Sequence, residues 1–147
     1  MDFTEILFEI DEGVAVITLN RPEARNALAP VMRQELAHAL KTVREKAGEE
    51  VRALILTGAG GAFCAGGDVK SMGSRLKSAA LAREALRDDH QKMIDLLNIE
   101  VPVISLIDGA AAGAGANIAL AADFVLATPK GFLLQAFVRI GLIPDWG

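Results

Sequence analysis

Four apolar runs, "VAVITLN", "VRALILTG", "VPVISLID" and "FVLAT", punctuate the chain and are separated by segments of a different kind. The runs are aliphatic and β-branched, as strands require. Between them lie a periodic helix pattern, glycine-rich loops and an alanine-rich stretch. Strand alternating with helix implies an α/β layout with parallel pairing. The exception is the start. "FTEILFEI" and "VAVITLN" are joined only by Asp11-Glu12-Gly13, a connection too short for a crossover, so they read as a hairpin.

The helices follow from spacing. Pro30 stands where a helix can begin, because the N–H it lacks is not needed in the first turn. Val31 to Lys46 then carries Leu36, Leu40 and Val43 on one face, and Gly48 suits the stop. Residues 58–67 read as a small-residue loop. A short helix is expected over 69–74 and a longer one over 79–98, with Leu86, His90, Met93 and Leu97 on a shared face and His90 at the core's edge. "GAAAGAGANIALAAD" reads as a turn and an alanine-rich helix, with Ile118 and Ala122 at helical spacing.

At 147 residues the chain suits one domain, residues 1–147. A net charge of −4 and no basic tract argue against a nucleic-acid partner. The longest uncharged apolar stretch, Gly109 to Ala122, is too short to span a bilayer, so no membrane partner is expected. A lone cysteine, Cys64, allows no internal disulfide. With a start unlike a secretory signal, that favours the cytoplasm. His38 and His90 are the only histidines and form no cluster with cysteine, so no metal site is expected. The chain stops at "GLIPDWG", inside what reads as a loop, and a longer protein is expected.

Two glycine-rich stretches carry the candidate chemistry: "AFCAGGDVK" (residues 62–70) and "AAAGAGANIALAAD" (residues 110–123). Each follows a strand, where α/β proteins bind ligands. Small residues there let the backbone approach a ligand and leave N–H groups unobstructed. The second stretch also opens a helix, whose first N–H groups lack partners. Two donors from different loops could converge on one carbonyl oxygen and stabilise it as charge develops, each contributing roughly 3 kcal/mol. The alternative is that glycine and alanine merely permit close helix–sheet packing. Other readings fit worse. The dinucleotide fingerprint fails at Phe63 and at Ile118, and no Gly-Lys-Ser/Thr phosphate loop occurs. No G-x-S-x-G elbow exists. Cys64 lies between Phe63 and Ala65 without a basic activator and reads as a small buried hydrophobe.

Together "LNRPEARNAL", "AFCAGGDVKSM", "DGAAAGAGANIALAADFVLA" and "GLIPDWG" resemble the enoyl-CoA hydratase/isomerase (crotonase) family over nearly the whole chain. The resemblance implies the N-terminal core portion of a spiral of β-β-α repeats, an acyl-CoA substrate, no separate cofactor beyond the coenzyme A that the substrate carries, and a homotrimer or hexamer. It places Gly67 and Ala114 as the two oxyanion donors. Ala65, Gly66, Asp68, Val69, Lys70 and Gly113 would line the thioester and pantetheine channel. Arg21, Ala24, Arg25, Ala27 and Leu28 would lie near the adenine and phosphates. Asp68 reads equally as the cap of the following helix.

The resemblance also matches Asn117 and Phe137 to the two glutamates with which hydratases handle water. Neither is a base, so simple hydration is doubtful. Asn117 then orients substrate or simply packs. Asp145 is the acid left near the expected site, and "LLQAFVRIGLIPD" looks closest to the ring-1,2-epoxyphenylacetyl-CoA isomerase group. Its pKa would rise toward a working value beside Phe137 and Trp146. The expected activity is therefore double-bond or ring isomerisation through a held enolate. The alternatives are enoyl-CoA hydration, or an inactive acyl-CoA-binding or assembly subunit.

Overall fold

The computed structural model describes residues 2–75, 78–144 and 146. Strand β1 (Ile6–Asp11) turns through Glu12 and Gly13, both at positive φ, into antiparallel β2 (Val14–Leu19), with Asp11 opposite Val14. The expected hairpin is present. A 3-10 turn (Pro22–Ala24) leads to helix α1 (Pro30–Lys46), which starts on its proline. Then come β3 (Ala53–Gly58), β4 (Ala62–Cys64), α2 (Val69–Arg75) and α3 (Ala79–Leu97). The chain continues through β5 (Val103–Ile107), β6 (Ala110–Ala112), α4 (Ala114–Leu120), β7 (Phe124–Ala127), β8 (Phe132–Leu134) and a 3-10 helix (Ala136–Ile140).

Two sheets result. The larger has the order β1-β2-β3-β5-β7, parallel except at the hairpin, and the smaller is the all-parallel β4-β6-β8. Alternation along β2 buries Ala15, Ile17 and Leu19. Helix α1 packs near this sheet with Leu36, Leu40 and Val43, all at most 3% exposed, as their spacing predicted. The β4-β6-β8 sheet was not foreseen. Residues 62–64 and 110–112, read as loop and turn, each form a three-residue strand. Three alanines carry almost no strand signal of their own, and only pairing with β4 and β8 makes β6 a strand.

Two helix expectations need correction. Helix α3 buries Asp89, Lys92, Met93 and Leu96, whereas Leu86, His90 and Leu97 are exposed. The buried stripe is rotated because two of its positions hold charged residues, which a search for apolar spacing passes over. Helix α4 ends at Leu120, so Ala122 lies beyond it. Several apolar side chains stay exposed on β7 and β8, among them Phe124, Leu126 and Phe132. No helix among the described residues is long and apolar enough to cross a membrane.

A buried acid secures the entry to β1. Glu35, 2% exposed on α1, accepts hydrogen bonds from the Thr4 N–H and hydroxyl and from the Glu5 and Ile6 N–H groups, at 2.7–2.9 Å. Burial by itself would raise its pKa. The four donors outweigh that and hold the carboxyl below its ordinary 4.5. A folded pKa below the unfolded one stabilises the protein above about pH 4.5, and the benefit disappears as pH falls through the folded value. Glu35→Ala should therefore cost on the order of 3 kcal/mol at pH 7 in denaturant unfolding, because buried donors lose their acceptor. The penalty should shrink on acidification through the carboxylate range.

Candidate functional site

The two glycine-rich stretches meet. Residues 64–68 leave β4 and residues 112–114 leave its neighbour β6, so pairing of the strands brings the loops side by side. The approach is close at Gly66. A Cβ built there would stand 2.7 Å from the Ala112 carbonyl oxygen and 3.5 Å from the Ala114 nitrogen. Its φ of +93° is also one that side chains rarely adopt. Both reasons demand glycine. On the other loop, Gly115 lies so close to Cys64 that an added Cβ would be 2.4 Å from the Cys64 carbonyl oxygen, which seats the start of α4 directly on β4.

Beside these loops lies a cavity of about 400 Å³ whose wall includes Ala65, Gly66, Gly67, Val69, Gly113, Ala114 and Phe137. All seven were singled out from the sequence. Gly67 and Ala114 both line this wall, and their amides donate to no partner among the described residues. Their neighbours are occupied: Gly113 N–H donates to Leu134, Ala65 N–H to Arg25, and Gly66 N–H to the Cys64 sulfur. The rest of the wall comes from α3, through Ala82, Ala85, Leu86 and Asp89, from the 136–142 segment, and from Arg33 and Trp146. It is mostly apolar, so a charge arising inside meets little water and depends on fixed donors.

The segment 21–28 runs along the outer side of the same loop rather than on the cavity wall. Leu28 N–H donates to the Gly66 carbonyl at 2.8 Å, and Asp68 N–H reaches the Leu28 carbonyl at 3.4 Å. Arg21 is committed to this scaffold: its Nη1 donates to the Ala27 carbonyl and to Asp68, and its Nε pairs with Glu5 at 3.2 Å. Asp68 also accepts from Lys70 N–H at 3.0 Å, the geometry of a cap on α2. Ala24 and Ala27 are half-buried, and Arg25 and Lys70 are exposed. The residue that sequence reasoning missed here is Asn26. Fully buried, it accepts from Arg21 N–H and donates to the Ala59 and Ala62 carbonyls, pinning the segment to the loop before β4. Its type and its place in a polar break were the available signal.

Asn117 does not reach the cavity wall. Its side-chain oxygen accepts from Gln135 at 2.8 Å, and its buried Nδ2 has no partner among the described residues. Asp145 lies outside the described residues, but its chain neighbour Trp146 is on the wall and 1% exposed. Asp89, which sequence reasoning did not single out, is the only carboxylate among the described wall residues, and Arg33 holds it at 2.5 Å. No group of three or more His, Cys, Asp or Glu that could hold a metal exists among the described residues.

Cys64 is fully buried, and burial pushes its thiol up to about 12, against a smaller lowering by the Gly66 N–H. A thiol so rarely ionised is no nucleophile. The folded protein at pH 8 should leave Cys64 unmodified by a disulfide reagent over the time in which the denatured chain reacts fully. Rapid labelling of the folded protein would show that the thiol is accessible and ionised.

The comparisons add a lineage to this geometry. The model of the family described as enoyl-CoA hydratase/isomerase matches residues 9–147. A protein of Rhodobacter capsulatus named probable enoyl-CoA hydratase is 45% identical over the whole chain and 55% of its own length. The 1,2-epoxyphenylacetyl-CoA isomerase of Escherichia coli is 39% identical over 97% of the chain and 54% of its own. A solved structure of a putative enoyl-CoA hydratase from Streptomyces coelicolor superposes with a TM-score of 0.91 at 38% identity, covering 99% of this chain and 54% of that one. The chain thus spans about half the length of the curated relatives it matches, and it has the N-terminal portion of the α/β crotonase fold. Identity does not single out the ring-isomerase group, since the relative named a hydratase shares more. The chain belongs to the enoyl-CoA hydratase/isomerase family.

Proposed function

We propose that the protein acts on acyl-CoA thioesters and holds the thioester oxygen between the amides of Gly67 and Ala114. The observation that carries this reading is that both residues line one cavity and that their N–H groups have no partner among the described residues. A thioester α-proton is only weakly acidic until negative charge on the carbonyl oxygen is stabilised. Two fixed N–H donors provide that stabilisation in the transition state more than in the ground state, and this difference is what accelerates a reaction.

Isomerisation is the favoured reaction. A single carboxylate removes a proton from one carbon and returns it to another, so no atom is gained or lost. We assign that shuttle to Asp145, on the strength of the resemblance and of its neighbour Trp146 on the wall. Water addition needs a second carboxylate to activate the water. Asn117 and Phe137 cannot supply it, and Asp89 is tied to Arg33. The apolar wall with Phe137 and Trp146 suits a bulky unsaturated or aromatic acyl group, as in the ring-isomerase reading. Hydration is the second reading, favoured by the name of the relative sharing 45% identity. The homo-oligomer expected from the resemblance belongs to the same proposal.

The test is to incubate the full-length protein with 3-enoyl-CoA in D2O. The expected outcome is migration of the double bond with deuterium entering the carbon frame. Asp145→Asn should abolish it while acyl-CoA still binds. Robust water addition to 2-enoyl-CoA without isomerisation would replace this reading by the hydratase one. Binding with neither reaction would leave an acyl-CoA-binding subunit.

Two substitutions address the donors. Ala114→Pro removes one N–H at the first position of α4, where proline is tolerated, so kcat should fall about 10²–10³-fold with little loss of stability. Gly66→Ala should both destabilise the fold, by about 1–3 kcal/mol in denaturant unfolding, and lower kcat, because the clash with the Ala112 carbonyl forces the two loops apart.

A further inference from the structure

Arg33 of α1 is 8% exposed on the cavity wall, and three contacts hold its guanidinium. Nε donates to the Leu28 carbonyl at 2.9 Å. Nη1 donates to Asp89 Oδ2 at 2.5 Å. Its central carbon stands 5.5 Å from the centre of the Trp146 ring. Each contact leads to a different part of the site. Leu28 is hydrogen-bonded through its backbone to Gly66 and Asp68, the residues on either side of Gly67. Asp89 belongs to the α3 wall. Trp146 closes the wall from the chain's last described segment and directly follows Asp145.

A buried ion pair is a poor source of stability, since desolvation offsets its attraction and an apolar pair of similar volume often does as well. What a guanidinium adds is shape. One planar group can donate in two in-plane directions while an aromatic ring faces it, and a lysine cannot do both.

We propose that Arg33 is a positioning residue. It seats Trp146 in the cavity wall and, through the Leu28 carbonyl, ties that wall to the loop bearing the Gly67 amide, so that acyl wall and donor keep a fixed spacing. The proposal rests on the thioester reading of the site.

Trp146 is the only tryptophan of the 147 residues, and in the full-length protein its share of the fluorescence is isolated as the difference from a Trp146→Phe control. The experiment compares full-length protein with Arg33→Lys, Arg33→Met and the double variant Arg33→Met/Asp89→Leu. The double variant removes both charges of the pair, and Lys92 keeps Asp88 as its partner. For each, the thermal midpoint, the Trp146 emission, and kcat and KM for a short and a long enoyl-CoA are measured. Arg33→Lys should fold, shift the emission to the red and lower kcat at least tenfold, with a larger loss for the long acyl chain. The double variant should recover the thermal midpoint lost in Arg33→Met but neither kcat nor the emission. Recovery of all three together would show that the pair only fills space, and unchanged emission and kcat in Arg33→Lys would overturn the proposal outright. If wild-type protein neither binds nor converts acyl-CoA, the thioester reading fails, and an unshifted emission in Arg33→Lys would still sink the proposed seating of Trp146.

Discussion

At Gly66 two loops from neighbouring strands come closer than any side chain would permit. The Ala112 carbonyl oxygen stands 2.7 Å from where a Cβ would be. That approach depends on the short parallel pairing of β4 with β6 and on Gly115, which lets α4 begin against Cys64. The amides at 67 and 114, without partners among the described residues, the wall these residues line and the path past Leu28 all follow from it. The small residues in these stretches are therefore packing devices first. The stretches that pack this closely also hold the amides without partners among the described residues, so the two readings of a glycine–alanine run describe one arrangement.

Charges around the site are held in place by backbone. Arg21 and Asp68 secure the segment 21–28 against the donor loop, Asn26 anchors it to the loop before β4, and Glu35 fixes the chain's entry to β1. Each of these polar groups is buried or half-buried and bonded to main-chain atoms. An unmet buried backbone group costs more than a satisfied one contributes, so such ties hold loops of irregular conformation in one shape. Arg33 extends the pattern into the cavity, where a single guanidinium touches a backbone carbonyl, a carboxylate and an aromatic ring.

The described cavity wall sets which groups a bound molecule would meet. It is largely apolar, offers two backbone donors, and has one carboxylate already neutralised by its partner.

Much of this was legible from the amino-acid order alone. Apolar, β-branched runs located β1, β2, β3, β5 and β7, and helical spacing located α1, whose Leu36, Leu40 and Val43 are buried on one face. The glycine pairs marked the donor loops, since few other sequences free backbone N–H groups after a strand. The sheet β4-β6-β8, the buried face of α3 and the roles of Asn26, Arg33 and Asp89 were decided only by the tertiary structure. Three alanines become a strand only when partners lie on either side. A charged residue is buried only when its counter-charge, brought from 56 positions away in the case of Arg33 and Asp89, arrives beside it. Such pairings are properties of two segments at once, and neither segment announces them by itself.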